Sequence, residues 1–384
     1  MFNRMQEKVK ELQVNMQEQD VDVSLVMDRD SIYYFTGIHD YLGMDFGRPT
    51  IAIIPKEGEV SVILPSLEQD MAVEMTWVDK LLPWTDGLGE EWYGYVNEAL
   101  KGKKTVGLEV NRTHPVLGNY IRESFPEIEI KDMYKTMARQ RMIKSPEEIE
   151  VMKKAGQVAV AMCAGAKEIL RPGVQEYEVA LAILESGTKK AAELLAEDQS
   201  GPNAYFSPLI HDLQILQTGK DMNKVHKRAG INKINHGDSV YMCFCNMAEF
   251  KLMKIGFDRQ YFIGSHTEEE EKIYYQAIEG QKKALDMIRP GVKASEVHDA
   301  SSKYYEDLGY GIQYRTGRAL GYSRLEIPEL RVDDHTILEE GMTFAVDGAV
   351  SLPNGVAGRV GDTIVVTKDG FEYITVMDKS LQVL

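Results

Sequence analysis

A chain of 384 residues with 43% hydrophobic content can bury two domains, and its net charge of −16 argues against a nucleic-acid partner, because phosphate binding needs a basic face. No apolar run approaches the roughly 20 residues of a membrane span and no charged segment leads into an apolar one at the start, so no membrane contact and a cytoplasmic location are expected. The thiols Cys163, Cys243 and Cys245 contain no C-x-x-C pair, which supports neither a disulfide framework nor a structural zinc site.

Met5, Val9, Leu12 and Met16 recur at helical spacing and predict an opening amphipathic helix over residues 1–20. A strand over 21–27, the turn Asp28-Arg29-Asp30, and the segments 31–37 and 49–55 follow. The second of these is strongly β-prone, and residues 59–64 pair with it across Lys56-Glu57-Gly58. A helix near 90–100, a strand at 105–110, a helix over 115–124 and a strand at 128–131 complete an α/β pattern assigned to residues 1–137.

The composition changes at Ala138. Ser145 reads as a helix N-cap, with Pro146 at the first helical position and Glu147 and Glu148 in the first turn. That helix runs to about residue 170 and closes at Arg171-Pro172-Gly173; a second covers 176–195. The stretch 213–264 turns to β, and Cys243-Phe244-Cys245 within it reads as strand core. Helices follow over 268–288, ending at Arg289-Pro290-Gly291, and over 294–308, with strands at 342–350, 362–367 and 373–376. The repeated helix, helix, strand order with matching Arg-Pro-Gly corners indicates a duplicated α+β half within a domain spanning 138–384.

Arg141-Met-Ile-Lys-Ser-Pro-Glu-Glu-Ile-Glu150, the Gly237-Asp238 turn, the loop at Gly317-Arg-Ala319, Gly341-Met-Thr-Phe344 and Gly361-Asp-Thr363 together resemble the creatinase/aminopeptidase P/prolidase (M24) superfamily. The resemblance spans almost the whole chain. It implies an α+β pita-bread C-terminal domain with a smaller α/β creatinase-type N-terminal domain, and a homodimer. Most members are dinuclear metallopeptidases whose ligands are Asp, Asp, His, Glu and Glu. Those positions fall here at Cys243, Gly256, Arg318, Asp347 and Gly361, so the expectation is no bound metal and no cofactor.

The superfamily's metal-free branch, typified by creatinase and ectoine hydrolase, is similar at Asp45-Phe46-Gly47-Arg48-Pro49, at His226 eleven residues before Gly237-Asp238, and at Arg324. The similarity implies a metal-independent C–N hydrolase of a small carboxylated amidine, guanidino or amide compound. Arg48, with Phe46 beside it, and Arg324 would grip the carboxylate bidentately. Asp258, Asp347 and Glu326 would take the nitrogen end. Arg318 would contact the anion or, preferably, pair with Asp347, while Arg259 and Arg359 would be structural. His226, as an imidazole able both to take and to give a proton, would activate water and protonate the leaving nitrogen. The alternatives are a lyase acting on a betaine-like solute, a non-catalytic pita-bread binding protein, and an Xaa-Pro dipeptidase-like metallopeptidase. The motif before His211, Ser200–Ala204, echoes a peptidase signature at the wrong spacing.

Overall fold

A computed structural model describes residues 2–39, 41–85, 87, 91–198, 205–211, 215–245, 247–311 and 313–384. The start of the predicted helix near 90–100, the Ser200–Ala204 motif and the first residues of the 213–264 stretch lie wholly or largely outside these. The chain forms two compact units, Met1–Arg141 with Asp198–Phe206, and Met142–Glu197 with Ser207–Leu384.

In the first unit, helix α1 (Phe2–Glu18) buries Met5, Val9, Leu12 and Met16 on one face. A six-stranded sheet runs in the order β4 (Lys80–Trp84), β3 (Ser61–Pro65), β2 (Ile51–Pro55), β1 (Val23–Val26), β5 (Thr105–Leu108), β6 (Glu129–Asp132). Residues Arg29–Thr36 form helix α2 despite four β-prone side chains, Ile32, Tyr33, Tyr34 and Phe35, all of them buried. Helices α3 (Gln69–Met75), α4 (Tyr93–Leu100), α5 (Pro115–Ser124) and α6 (Tyr134–Met142) are the unit's remaining α-helices among the described residues.

The second unit opens on α7 (Pro146–Ile169). Its capping box is closed both ways, Ser145 accepting from the Glu148 amide and Glu148 from the Ser145 amide. Helix α8 (Glu176–Glu197) follows the first Arg-Pro-Gly corner, where Gly173 N donates to Ile234 O at 2.8 Å. The second corner repeats this bond, Gly291 N to Leu338 O at 2.9 Å, between α9 (Glu268–Leu285) and α10 (Ala294–Asp307). The internal duplication is therefore a backbone feature as well as a sequence one.

Eight strands join the two halves: β13 (Glu326–Leu330), β12 (Gly317–Ala319), β14 (Thr343–Ser351), β15 (Ala357–Val366), β11 (Asp258–Phe262), β8 (Ser239–Cys243), β7 (Ile215–Thr218), with β16 (Phe371–Tyr373) on β15. The short hairpin of β9 (Glu249–Phe250) and β10 (Met253–Lys254) stands apart. Helix α9 lies so close on one face that a Cβ on Gly348 would sit 2.1 Å from Ala277 O. Gln281 from α9 donates to Val346 O and to Asp362, and Arg259 reaches Asp362 at 2.8 Å from the same side. Arg259 thus sits on the helix-covered face. The opposite face is left concave, which is the pita-bread arrangement.

The seam between the halves, β11 against β15, is in backbone register only at Asp258 and Gly361. Beyond that point a side chain takes over the ladder: Gln260 donates to Ala357 O and accepts from Arg359 N. No helix among the described residues is long and apolar enough to cross a membrane.

Candidate active site

Strand register builds the site. Ile215, Cys243, Asp258, Gly361 and Asp347 are successive cross-strand partners on β7, β8, β11, β15 and β14, and so form one transverse row whose side chains share a face. Two residues away along their strands, Tyr241 and Arg359 point to that same face, and Arg318, opposite Ala345, joins them. A Cβ on Gly361 would meet Asp258 Oδ2 at 2.8 Å and Asp347 Oδ1 at 2.9 Å, so the glycine lets both carboxylates approach from either side.

This face lines a cavity of about 370 Å³ bordered by His226, Gln313, Tyr314, Arg315, Arg324 and Leu325 in addition to the row. Asp258 accepts from Tyr241 Oη at 2.7 Å and from Cys245 Sγ at 3.2 Å. Asp347 faces Arg318 at 3.9 Å, and its buried Oδ1 has no hydrogen-bond partner among the described residues. Burial, then the neighbouring Asp258, push the Asp347 carboxyl up to about 6 against the opposing pull of Arg318 and Arg315. Burial works against the Arg318 charge, but Cys245 and Asp347 more than offset it and the guanidinium stays protonated. Arg315 is held by Glu329 at 2.6 Å, and Arg359 lies over the Tyr241 ring.

His226 sits on an exposed turn that is anchored at both ends. Lys227 pairs with the buried Glu176 at 2.6 Å while its carbonyl accepts from Leu216 N, and Gln217 donates to Lys224 O. Glu176 also accepts from Thr218 and from Gly230 N.

Of the residues singled out from the sequence, His226, Arg324, Asp258, Asp347 and Arg318 border the cavity. Glu326 does not. Lys144, 182 positions away, binds its carboxylate at 2.7 Å with both side chains buried, and Ser323 N donates to its other oxygen. It anchors the loop that carries Arg324, and the substrate contact expected of it is withdrawn. Arg48 and the exposed Phe46 belong to the first unit, at the end of a 3₁₀ turn over Gly43–Phe46. Tyr241, Arg315 and Gln313 had not been singled out, and Arg359, expected to be structural, lines the cavity. Cys243 is buried as a strand residue should be, yet it too faces the cavity. The alternation Tyr241, Cys243, Cys245 carried that signal, because every second residue of a strand shares a face.

Matches to known proteins cover both units: residues 150–368 fit the model of metallopeptidase family M24, and residues 8–143 that of the creatinase/prolidase N-terminal domain. The chain belongs to metallopeptidase family M24. It is 26% identical to an agropine synthesis cyclase of Rhizobium rhizogenes, covering 97% of this chain and 96% of that one. It is 27% identical to an Xaa-Pro dipeptidase of Pyrococcus horikoshii, over 98% and 99%. Among solved structures, an Xaa-Pro dipeptidase from Bacillus anthracis superposes with a TM-score of 0.84 at 23% identity, over 99% and 100% of the two chains.

These findings support a hydrolytic enzyme class and overturn one expectation. The metal-independent, creatinase-like hydrolase of non-peptide C–N bonds is contradicted by a metallopeptidase family match and by Xaa-Pro dipeptidases aligned end to end. Lost donor side chains report which ligands are missing. They do not identify a different reaction.

The side chains present among the described residues do not fit the two-metal centre that the family implies. Two cations need several carboxylates to balance their charge. The row offers Asp258 and Asp347 but has glycine at 361, position 256 beside it is also glycine, and the Arg318 cation stands 3.9 Å from Asp347.

Proposed function

We propose that the concave face of the C-terminal unit is a hydrolytic site for a dipeptide-sized substrate of the Xaa-Pro type, held by its carboxylate. The observation that carries this reading is the cavity's polarity: the acids Asp258 and Asp347 on the row, and Arg324, Arg318, Arg315 and Arg359 around it. A volume of about 370 Å³ suits a small ligand. Arg324, exposed and carrying no salt bridge among the described residues, grips the carboxylate. Asp347, its carboxyl raised to about 6, donates a proton to the leaving nitrogen, and His226 takes one from water. Arg48 contributes from the N-terminal unit of a partner in a homodimer, and the enzyme works in the cytoplasm. The test is release of free amino acids from a panel of Xaa-Pro dipeptides, with Arg324→Ala raising KM.

A second reading, ring closure, is favoured by the end-to-end match to the cyclase together with the absence of the two-metal donor set. Product mass separates the readings, since hydrolysis adds one water and ring closure removes one. Turnover in neither direction on carboxylated amide substrates would sink both.

A further inference from the structure

We propose that Cys243, Cys245 and Asp258 form a binding site for one thiophilic divalent ion, with zinc the natural class of occupant. The Cys243 and Cys245 sulfurs and one carboxylate oxygen of Asp258 lie within 4.8 Å of one another, with Cys243 and Asp258 buried and Cys245 half-buried. Neighbouring ligand atoms of one tetrahedral zinc stand roughly 3.3–3.8 Å apart, given Zn–S near 2.3 Å and Zn–O near 2.0–2.2 Å. The Cys245 to Asp258 separation of 3.2 Å lies just short of that range.

The backbone reason is simple. Cys243 ends β8, Cys245 stands on the turn two residues beyond it, and Asp258 is the direct cross-strand partner of Cys243 on β11. Two donors therefore face each other on adjacent strands, and the third is brought to them by the turn that leaves β8. The carboxylate is also held from behind: Tyr241 Oη donates to the far Asp258 oxygen at 2.7 Å, fixing its orientation. Charge balances too. Two thiolates and a carboxylate around a doubly positive ion leave one negative charge, and the Arg318 guanidinium beside Cys245 neutralises it.

This donor set differs from the carboxylate and imidazole cage of a two-metal peptidase in both softness and nuclearity. Thiolates select zinc or cobalt over magnesium, calcium or manganese. Each ion bound displaces the two thiol protons while Asp258 contributes as carboxylate, so uptake releases two protons and changes no oxidation state. The fourth position faces the cavity, where a bound ion would polarise a substrate carbonyl.

The inference is independent of which substrate the cavity takes, because it is read without turnover. The full-length protein, reduced and stripped with chelator, is titrated with cobalt(II), and bound metal per chain is measured by elemental analysis. One equivalent, with an intense near-ultraviolet sulfur-to-cobalt charge-transfer band and release of two protons, is expected; zinc should then displace cobalt and abolish the band. Zinc should also protect two of the three thiols from a thiol reagent, leaving Cys163, which is buried against Tyr261. Cys245→Ser, at the half-buried position and so the gentlest change, should weaken cobalt binding by at least the roughly 100-fold that loss of an outer-shell partner can cost. Asp258→Asn should weaken it while keeping the thiolate band at saturating cobalt. No stoichiometric metal, cobalt bound without the charge-transfer band, or an undiminished band in Cys245→Ser with unchanged melting temperature would each overturn the site.

Discussion

The two halves of the pita-bread unit share a backbone and differ in what they carry. Each turns an Arg-Pro-Gly corner closed by the same bond, Gly173 to Ile234 in the first half and Gly291 to Leu338 in the second. Each also secures a loop at the cavity with a buried glutamate: Glu176 with Lys227 behind His226, and Glu326 with Lys144 behind Arg324. The first half then supplies Tyr241, Cys243, Cys245 and Asp258, while the second supplies Arg315, Arg318, Arg324, Arg359 and Asp347. Duplication conserved the scaffold, and the side chains divided a polar cavity into an electron-rich side and a mainly cationic one.

The largest expected effect tests the first half's share of the chemistry. His226→Ala should lower kcat roughly 10²–10⁴-fold on whichever carboxylated amide is turned over, with circular dichroism unchanged. An unaltered rate would remove the histidine from the mechanism.

The two anchoring pairs come next. Lys144→Met strands Glu326 in a buried setting and should cost about 3–5 kcal/mol in urea unfolding. Lys227→Met should cost less, because Glu176 keeps its bonds from Thr218 and Gly230. Equal losses would show that the two anchors are energetically alike.

The halves should respond to pH in opposite senses. Burial alone would raise the Glu176 pKa, but Lys227, Thr218 and the Gly230 amide bring it below its usual value. Its stabilisation is therefore present above the unfolded pKa and is lost as pH falls through the folded one. Asp347 is raised from 3.8 to about 6, so its favourable contribution is complete below the lower value and is lost as pH rises through the upper. Asp347→Asn should remove that loss, raising stability above about pH 7 by on the order of 3 kcal/mol, whereas Glu176→Gln should flatten the acid-side decline. Melting temperatures from about pH 4 to 8 give the sign of each. The smallest effect is Arg324→Ala, expected to raise KM about tenfold, the equivalent of one charge-assisted hydrogen bond, with kcat little changed.

Much of this architecture can be read from the chain because its signals are local. Ser145, Pro146 and Glu148 specify the start of α7 within four residues, and the two Arg-Pro-Gly corners mark the repeat. His226, Asp258, Asp347, Arg318 and Arg324 all reach the cavity by way of motif spacing. What escaped was long-range. Nothing near Glu326 announces that Lys144 will occupy it, and Arg359 faces the cavity only because β15 pairs with β14 in the register that sets Gly361 beside Asp347. The grouping of Cys243, Cys245 and Asp258 escaped for another reason: a donor's absence at one strand position does not reveal that these three side chains meet in space.

The seam between β11 and β15 makes the cavity more than a place where ligands sit. With a single backbone register pair at Asp258 and Gly361 and Gln260 standing in for the next rungs, the halves are joined most sparingly where the row crosses from one to the other. An occupant touching Asp258 on one side and Asp347 or Arg318 on the other becomes an additional cross-link between the repeats. Its binding energy is then added to their union, and unfolding that begins as separation of the halves becomes a measure of occupancy.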